Sequence, residues 1–117
     1  MNEVRVLPAP ILPKEWNGVD TSIDAETPEL LSDDQFDRYV QTVADLLAAA
    51  GLDVTVSADD HGHLDVHHPT SGFNVELDLR EDRSAEWSLN ADDESEPGTT
   101  ALQLASLVTR LLAPGRG

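Results

Sequence analysis

Two short runs in the middle of the chain, His63-Leu64-Asp65-Val66-His67 and Asn74-Val75-Glu76-Leu77-Asp78, alternate ionisable or amide side chains with apolar ones around a break containing Pro69 and Gly72. Imidazoles and carboxylates hold divalent cations, exchange protons near neutral pH and orient one another by hydrogen bonds. Period-two spacing puts His63, Asp65 and His67 on one side of a strand, and Asn74, Glu76 and Asp78 on one side of the next.

If residues 69–72 form a four-residue loop, Val66 pairs with Val75 and Leu64 with Leu77. His67 then stands opposite Asn74, Asp65 opposite Glu76, and His63 opposite Asp78. Corresponding loops before and after put Ser57 beside His63, Thr55 beside Asp65 and Asp53 beside His67, then Glu86 beside Asp78 and Ser88 beside Glu76. Asp65 facing Glu76 is a like-charge pair, unfavourable unless a cation or proton lies near. Neighbouring carboxylates are expected to raise the pKa of His63 and His67, so that the face gains positive charge in mildly acid conditions.

Three chemistries use such a surface. His63, Asp65, Glu76 and Asp78 form a candidate site for a divalent cation such as zinc; His63 and His67, about 13 Å apart along a strand, are too distant to share one ion. Ser57, His63 and Asp78 have the residue types of a nucleophile, base and orienting acid, which makes a small hydrolase the catalytic alternative. A flat sheet face, however, supplies neither a water-excluding pocket nor an oxyanion site, and no glycine-rich phosphate loop occurs. The third use is recognition without catalysis. On that reading Asp53, Thr55, His63, Asp65, His67, Asn74, Glu76, Asp78 and Glu86 form a partner-binding face, with no cofactor.

The elements that position this face follow from the rest of the sequence. With 117 residues the chain has the length of one domain, and with 4% aromatic residues its core must be built mainly of Leu, Val and Ala. There is no cysteine, which removes disulfides and thiolate chemistry. Residues 1–31 carry Pro8, Pro10, Pro13 and Pro28 and read as an extended arm. Its Val6, Leu7, Ile11, Leu12 and Trp16 are too apolar for a solvated linker, so the arm is expected to dock, either on its own domain as an edge strand or on a partner or second copy.

Residues 32–113 read as one domain, followed by a short tail at 114–117. Ser32 with Gln35 fits a capping box, Leu31 with Phe36 a hydrophobic staple, and Phe36, Tyr39, Val40, Val43, Leu46, Leu47 and Ala50 recur at helical spacing until Gly51. Four strands follow, with Leu52, Val54, Val56 and Ala58, then Leu64 and Val66, then Phe73, Val75, Leu77 and Leu79, then Ala85, Trp87 and Leu89 on the inward side. The acidic stretch at 92–98 reads as a loop. Thr100 with Gln103 opens a last helix whose Ala101, Leu104, Ala105, Leu107, Val108, Leu111 and Leu112 fill a broad apolar arc, Ser106 and Thr109 falling on its polar side.

The predicted fold is therefore α+β: a two-layer sandwich of order α-β-β-β-β-α, with a four-stranded antiparallel meander and both helices on one face. The other face is left to water or a partner.

A net charge of −16, with 23 carboxylates and a single lysine, repels nucleic-acid phosphates and anionic lipids, so direct binding to either is not expected. The first residues, MNEVRVLPAPILP, interrupt with Glu3 and three prolines the apolar run a signal peptide needs, and the reading is a soluble cytoplasmic protein. These features point to a non-catalytic acidic protein-binding module, in an inhibitor, immunity-type, secretion-chaperone or adaptor role, with a basic partner. A homodimer formed through Tyr39, Leu46 or Leu107 at the edges of the helix arcs is the other partner expectation. Acidity of this kind also arises as whole-surface solvation in salt-adapted organisms.

Overall fold

The computed structural model of the chain describes residues 4–5, 14–26, 28–57, 62–69, 72, 74–88 and 92–112. Its long elements are α1 (Asp33–Ala49), the strands β2 (Asp53–Val56), β3 (His63–His67), β4 (Asn74–Leu79), β5 (Ala85–Ser88) and β6 (Asp92–Ser95), and α2 (Ala101–Leu112). A two-residue strand β1 (Val4–Arg5) and one-turn 3₁₀ helices at Lys14–Trp16 and Ser22–Ala25 precede them.

The antiparallel meander of β2, β3, β4 and β5 and the two flanking helices are as the hydrophobic pattern requires, and the strand register is that implied by the loop lengths. Asp53 aligns with His67 and Thr55 with Asp65 across β2 and β3; His63 aligns with Asp78, Asp65 with Glu76 and His67 with Asn74 across β3 and β4. Glu76 aligns with Ser88 and Asp78 with Glu86 across β4 and β5. Burial alternates accordingly: Leu64, Val66, Val75, Leu77, Leu79, Ala85 and Trp87 are buried with Tyr39, Val43, Leu46 and Leu47 of α1 and Leu104, Ala105 and Val108 of α2 in one core. Both helices thus cover one face of the sheet.

The sheet extends beyond the four-stranded meander, by one strand where a loop is expected and by an edge strand at the start of the arm, which is one of the two docking modes expected for it. Asp92–Ser95, expected as an acidic loop, pairs antiparallel with β5, and Val4–Arg5 pairs parallel with β6, giving the order β1-β6-β5-β4-β3-β2. Asp-Asp-Glu-Ser has no strand propensity of its own, so neighbouring strand edges dictate its conformation. Ser95 anchors it: the buried hydroxyl accepts a 3.0 Å hydrogen bond from the Ala85 amide. At the opposite edge Val56, expected inside, is exposed, because β2 lies at the margin of what the helices cover.

Residues 14–31 contribute Trp16, Ile23 and Leu31 to the same core. The Trp16 indole donates a 2.8 Å bond to the Leu46 carbonyl oxygen. Val6, Leu7, Ile11 and Leu12, the other apolar residues expected to dock, lie outside the described residues.

Local signals at the helix ends hold. Ser32 and Gln35 exchange both capping-box hydrogen bonds, and Thr100 and Gln103 repeat the arrangement at α2. Sequence gives no hint of a third cap: Asp24 reaches the start of α2, where its carboxylate accepts from the Ala101 and Leu102 amides at 2.8 and 3.2 Å. Desolvation raises the Asp24 pKa, against these two hydrogen bonds and the nearby Arg83, which lower it.

Arg83 takes a positive φ of 64° in the β4–β5 turn and is buried, with Nη1 donating to the Glu26 carbonyl oxygen at 2.7 Å. Ser106, expected on the polar side of α2, is also buried. Among the described residues no helix is long and apolar enough to cross a membrane.

Candidate functional site

Among the described sheet residues on the face turned away from the helices, Asp53, Thr55, His67, Asn74, Glu76 and Ser88 are exposed, and His63, Asp65, Asp78 and Glu86 are partly so. Ser57 sits past the end of β2, its amide bonded to the His63 carbonyl oxygen at 3.0 Å.

Strand geometry makes His63, Asp65, Glu76 and Asp78 the corners of one quadrilateral. His63 and Asp65 are two residues apart on β3, and Glu76 and Asp78 are their cross-strand neighbours on β4. The imidazole lies within this frame and uses its two nitrogens differently. Nδ1 is 2.8 Å from Asp78 Oδ1, a short bond that fixes the ring. Nε2 points to the other pair, 3.4 Å from Asp65 Oδ1 and 3.5 Å from Glu76 Oε1.

The predicted four-ligand group is therefore divided. Asp78 holds the ring from behind, while Nε2, an Asp65 oxygen and a Glu76 oxygen lie within 4.8 Å of one another. The His63 side chain is only 19% exposed, the least of the four, so the imidazole is the fixed member and the carboxylates are the adaptable ones.

The hydrogen bond to Asp78 raises the His63 pKa; partial burial opposes it, and the charges of Asp78 and Asp65 add to the rise. The carboxylates thus favour the protonated imidazolium of His63 over its neutral form. His67 stands on the same face, exposed, between Asp53 of β2 and Asn74 of β4.

Glu86 aligns with Asp78 on the neighbouring strand. It pairs with Arg80 at 2.6 Å, and the same guanidinium also donates to Ser84 Oγ at 3.1 Å. In sequence the signal for Arg80 is its position two residues after Asp78, which places it on this face.

A shallow trough of about 290 Å³ follows β4 and β5, lined by Glu76, Asp78, Glu86, Trp87 and Ser88. A broader depression of about 480 Å³ lies at the sheet's end between Pro28, Leu30, Asp82, Arg83 and Pro97. The Arg83 guanidinium there is bonded to the Glu26 carbonyl oxygen, which leaves that hollow without a convergent reactive set. Ser57, His63 and Asp78 share a neighbourhood, but the imidazole is bonded through Nδ1 to Asp78 and presents Nε2 to Asp65 and Glu76. The base of a nucleophile, base and acid relay would have to aim Nε2 at the hydroxyl instead.

Two of the residues expected to mediate self-association are spent inside the domain. Tyr39 and Leu46 are fully buried, the Tyr39 hydroxyl donating to the Thr99 carbonyl oxygen at 2.7 Å. Leu107 is half-buried against the core. Compared with known protein families, curated proteins and solved structures, the chain matches none of them.

Proposed function

We propose that this protein is a non-catalytic binding module that presents the open face of its sheet to a basic protein partner. The observation that carries this reading is the distribution of groups on that face. Asp53, Asp65, Glu76 and Asp78 are displayed on a hydrogen-bonded sheet frame, where Glu76 and Asp78 border a shallow trough rather than a substrate-sized cavity. Ordered carboxylates over a low-dielectric core focus a negative field, and in a chain of net charge −16 that field steers cationic partners at enhanced rates. Lysine- and arginine-rich protein surfaces are the complementary chemistry; phosphate-bearing ligands are repelled. Inhibitor, immunity-type, chaperone and adaptor roles all share this interaction.

The test is capture of partners from lysate of the source organism by the wild-type chain and by a triple variant, Asp53→Asn, Glu76→Gln and Asp78→Asn, each at low and at physiological salt. The reading expects a basic partner retained by the wild type, weakened by salt and lost by the variant. A partner retained equally by both proteins at both salt concentrations overturns it.

A further inference from the structure

Nε2 of His63 lies 3.4 Å from an Asp65 oxygen and 3.5 Å from a Glu76 oxygen. Charge-assisted hydrogen bonds are shorter, about 2.7 to 2.9 Å. Two donors each about 2.1 Å from a tetrahedral zinc ion stand about 3.4 Å apart. The imidazole is thus held from both carboxylates at the edge length of a zinc coordination polyhedron, and all three donor atoms fall within 4.8 Å of one another.

We propose that His63, Asp65 and Glu76 form an open three-donor site for a zinc-class divalent cation, with Asp78 as the positioning residue behind His63. Independent features of the cluster support this. Asp78 lies 2.8 Å from Nδ1, and in the neutral ring a hydrogen bond donated by Nδ1–H to this carboxylate leaves the Nε2 lone pair facing the other two donors; a carboxylate behind a ligating histidine is the usual means of orienting it. Asp65 and Glu76 are direct cross-strand neighbours, so the frame holds two like charges together where an ion would neutralise them.

One nitrogen and two carboxylate oxygens suit zinc and its first-row neighbours better than calcium, which takes six to eight oxygens. Three protein donors leave a fourth position facing solvent, open to water or to a donor from another molecule. The inference does not depend on the basic-partner reading and is tested without any partner.

Chelator-treated full-length protein is titrated with zinc while the histidine side-chain nitrogens are followed by NMR, alongside calorimetry. Expected are one ion per chain, a large shift confined to His63 Nε2, and no saturable response to calcium at the same concentrations. His63→Gln should abolish binding, Asp65→Asn and Glu76→Gln should each weaken it at least tenfold, and Asp78→Asn should weaken it about 10- to 100-fold. His67→Gln should leave it unchanged.

Thermal melts separate the site from a merely structural cluster. Glu76→Gln should melt higher than wild type without metal, because a like-charge contact is gone, yet lose the zinc-induced rise. Zinc affinity within twofold of wild type in His63→Gln, a shift centred on His67 or His68, the absence of saturable binding, or equal zinc-induced rises in all variants would each overturn the proposal.

Discussion

Replacing Gly62 with alanine should be far more damaging than the same change at Gly51, although the two backbones are nearly alike. Their φ angles are +95° and +91°. Alanine at either position pays a similar conformational penalty, about 1–2 kcal/mol for an L-residue held there, offset by roughly 0.4–1 kcal/mol from a stiffer unfolded chain. What differs is the space. A Cβ at Gly51 meets nothing within 4 Å, whereas one at Gly62 would stand 2.7 Å from the Leu79 carbonyl oxygen and 2.8 Å from Phe36 Cζ.

Neither neighbour can yield freely. The first is the backbone of β4, and the second is a ring in the core. Overpacking of this kind costs about 1–3 kcal/mol, so Gly62→Ala should lose about 1–3 kcal/mol more than Gly51→Ala. Urea unfolding monitored by circular dichroism reads this difference directly. Because Gly62 accepts from the Leu79 amide at 2.8 Å and immediately precedes His63, Gly62→Ala should also move the His63 side-chain resonances, while Gly51→Ala leaves them in place. Equal losses at the two positions would refute the close packing of Gly62 against α1 and β4, and with it the account of how His63 is held.

Trp16→Ala should cost about 3–5 kcal/mol in the same assay, as expected for a buried aromatic that also bonds Leu46; a loss under about 1 kcal/mol would mean that residues 14–31 do not dock. Tyr39→Phe leaves the Thr99 carbonyl oxygen without its hydroxyl donor and should cost about 1–3 kcal/mol. Burial first, and the nearby Asp24 and Asp82 charges with it, raise the Tyr39 pKa, so its contribution is complete below the unfolded value of about 10 and is lost as pH rises beyond it. Ultraviolet absorbance of this single tyrosine should therefore report unfolding rather than an independent titration. Asp24→Ala should cost about 1–2 kcal/mol by exposing two α2 amides, whereas Asp24→Asn keeps an acceptor. Since the native Asp24 pKa is raised, its stabilising share is present below the unfolded value near 3.9 and declines as pH rises through the native one. The wild type should gain on Asp24→Asn upon acidification, and parallel pH profiles would count against this.

The sheet register was legible because period two is unforgiving. A one-residue slip would have turned Leu64, Val66, Val75 and Leu77 to solvent, so the alternation and two short loops sufficed to bring His63 against Asp78. Both capping boxes were equally readable, each being contained in four consecutive residues. Contacts without local periodicity were not. Asp92–Ser95 is a strand only because β5 offers it an edge, and Asp24 caps a helix 77 residues away. Within the site, sequence placed four chemical groups together but could not say which ring nitrogen each would meet, since that depends on one side-chain rotation settled by Asp78.

The two readings of the open face make opposing demands on it, and that opposition is measurable. Zinc at His63, Asp65 and Glu76 would add two positive charges to a surface proposed to attract cations. At about 10 Å in water this opposes each partner lysine or arginine by about 0.8 kcal/mol before screening, and severalfold less at physiological salt. Coupling between two ligands is reciprocal, so a basic partner acting only through charge must weaken zinc binding by the same factor. A partner that places a side-chain donor in the fourth coordination position reverses the sign, because metal and partner then share a bond and each strengthens the other. Once a partner is in hand, its affinity measured with saturating zinc and again with chelator distinguishes the cases: mutual weakening that fades with salt means electrostatic recognition alone, and mutual strengthening that survives salt means the metal bridges the two proteins. Affinity unchanged by zinc at low salt would show that the partner does not bind near His63 at all.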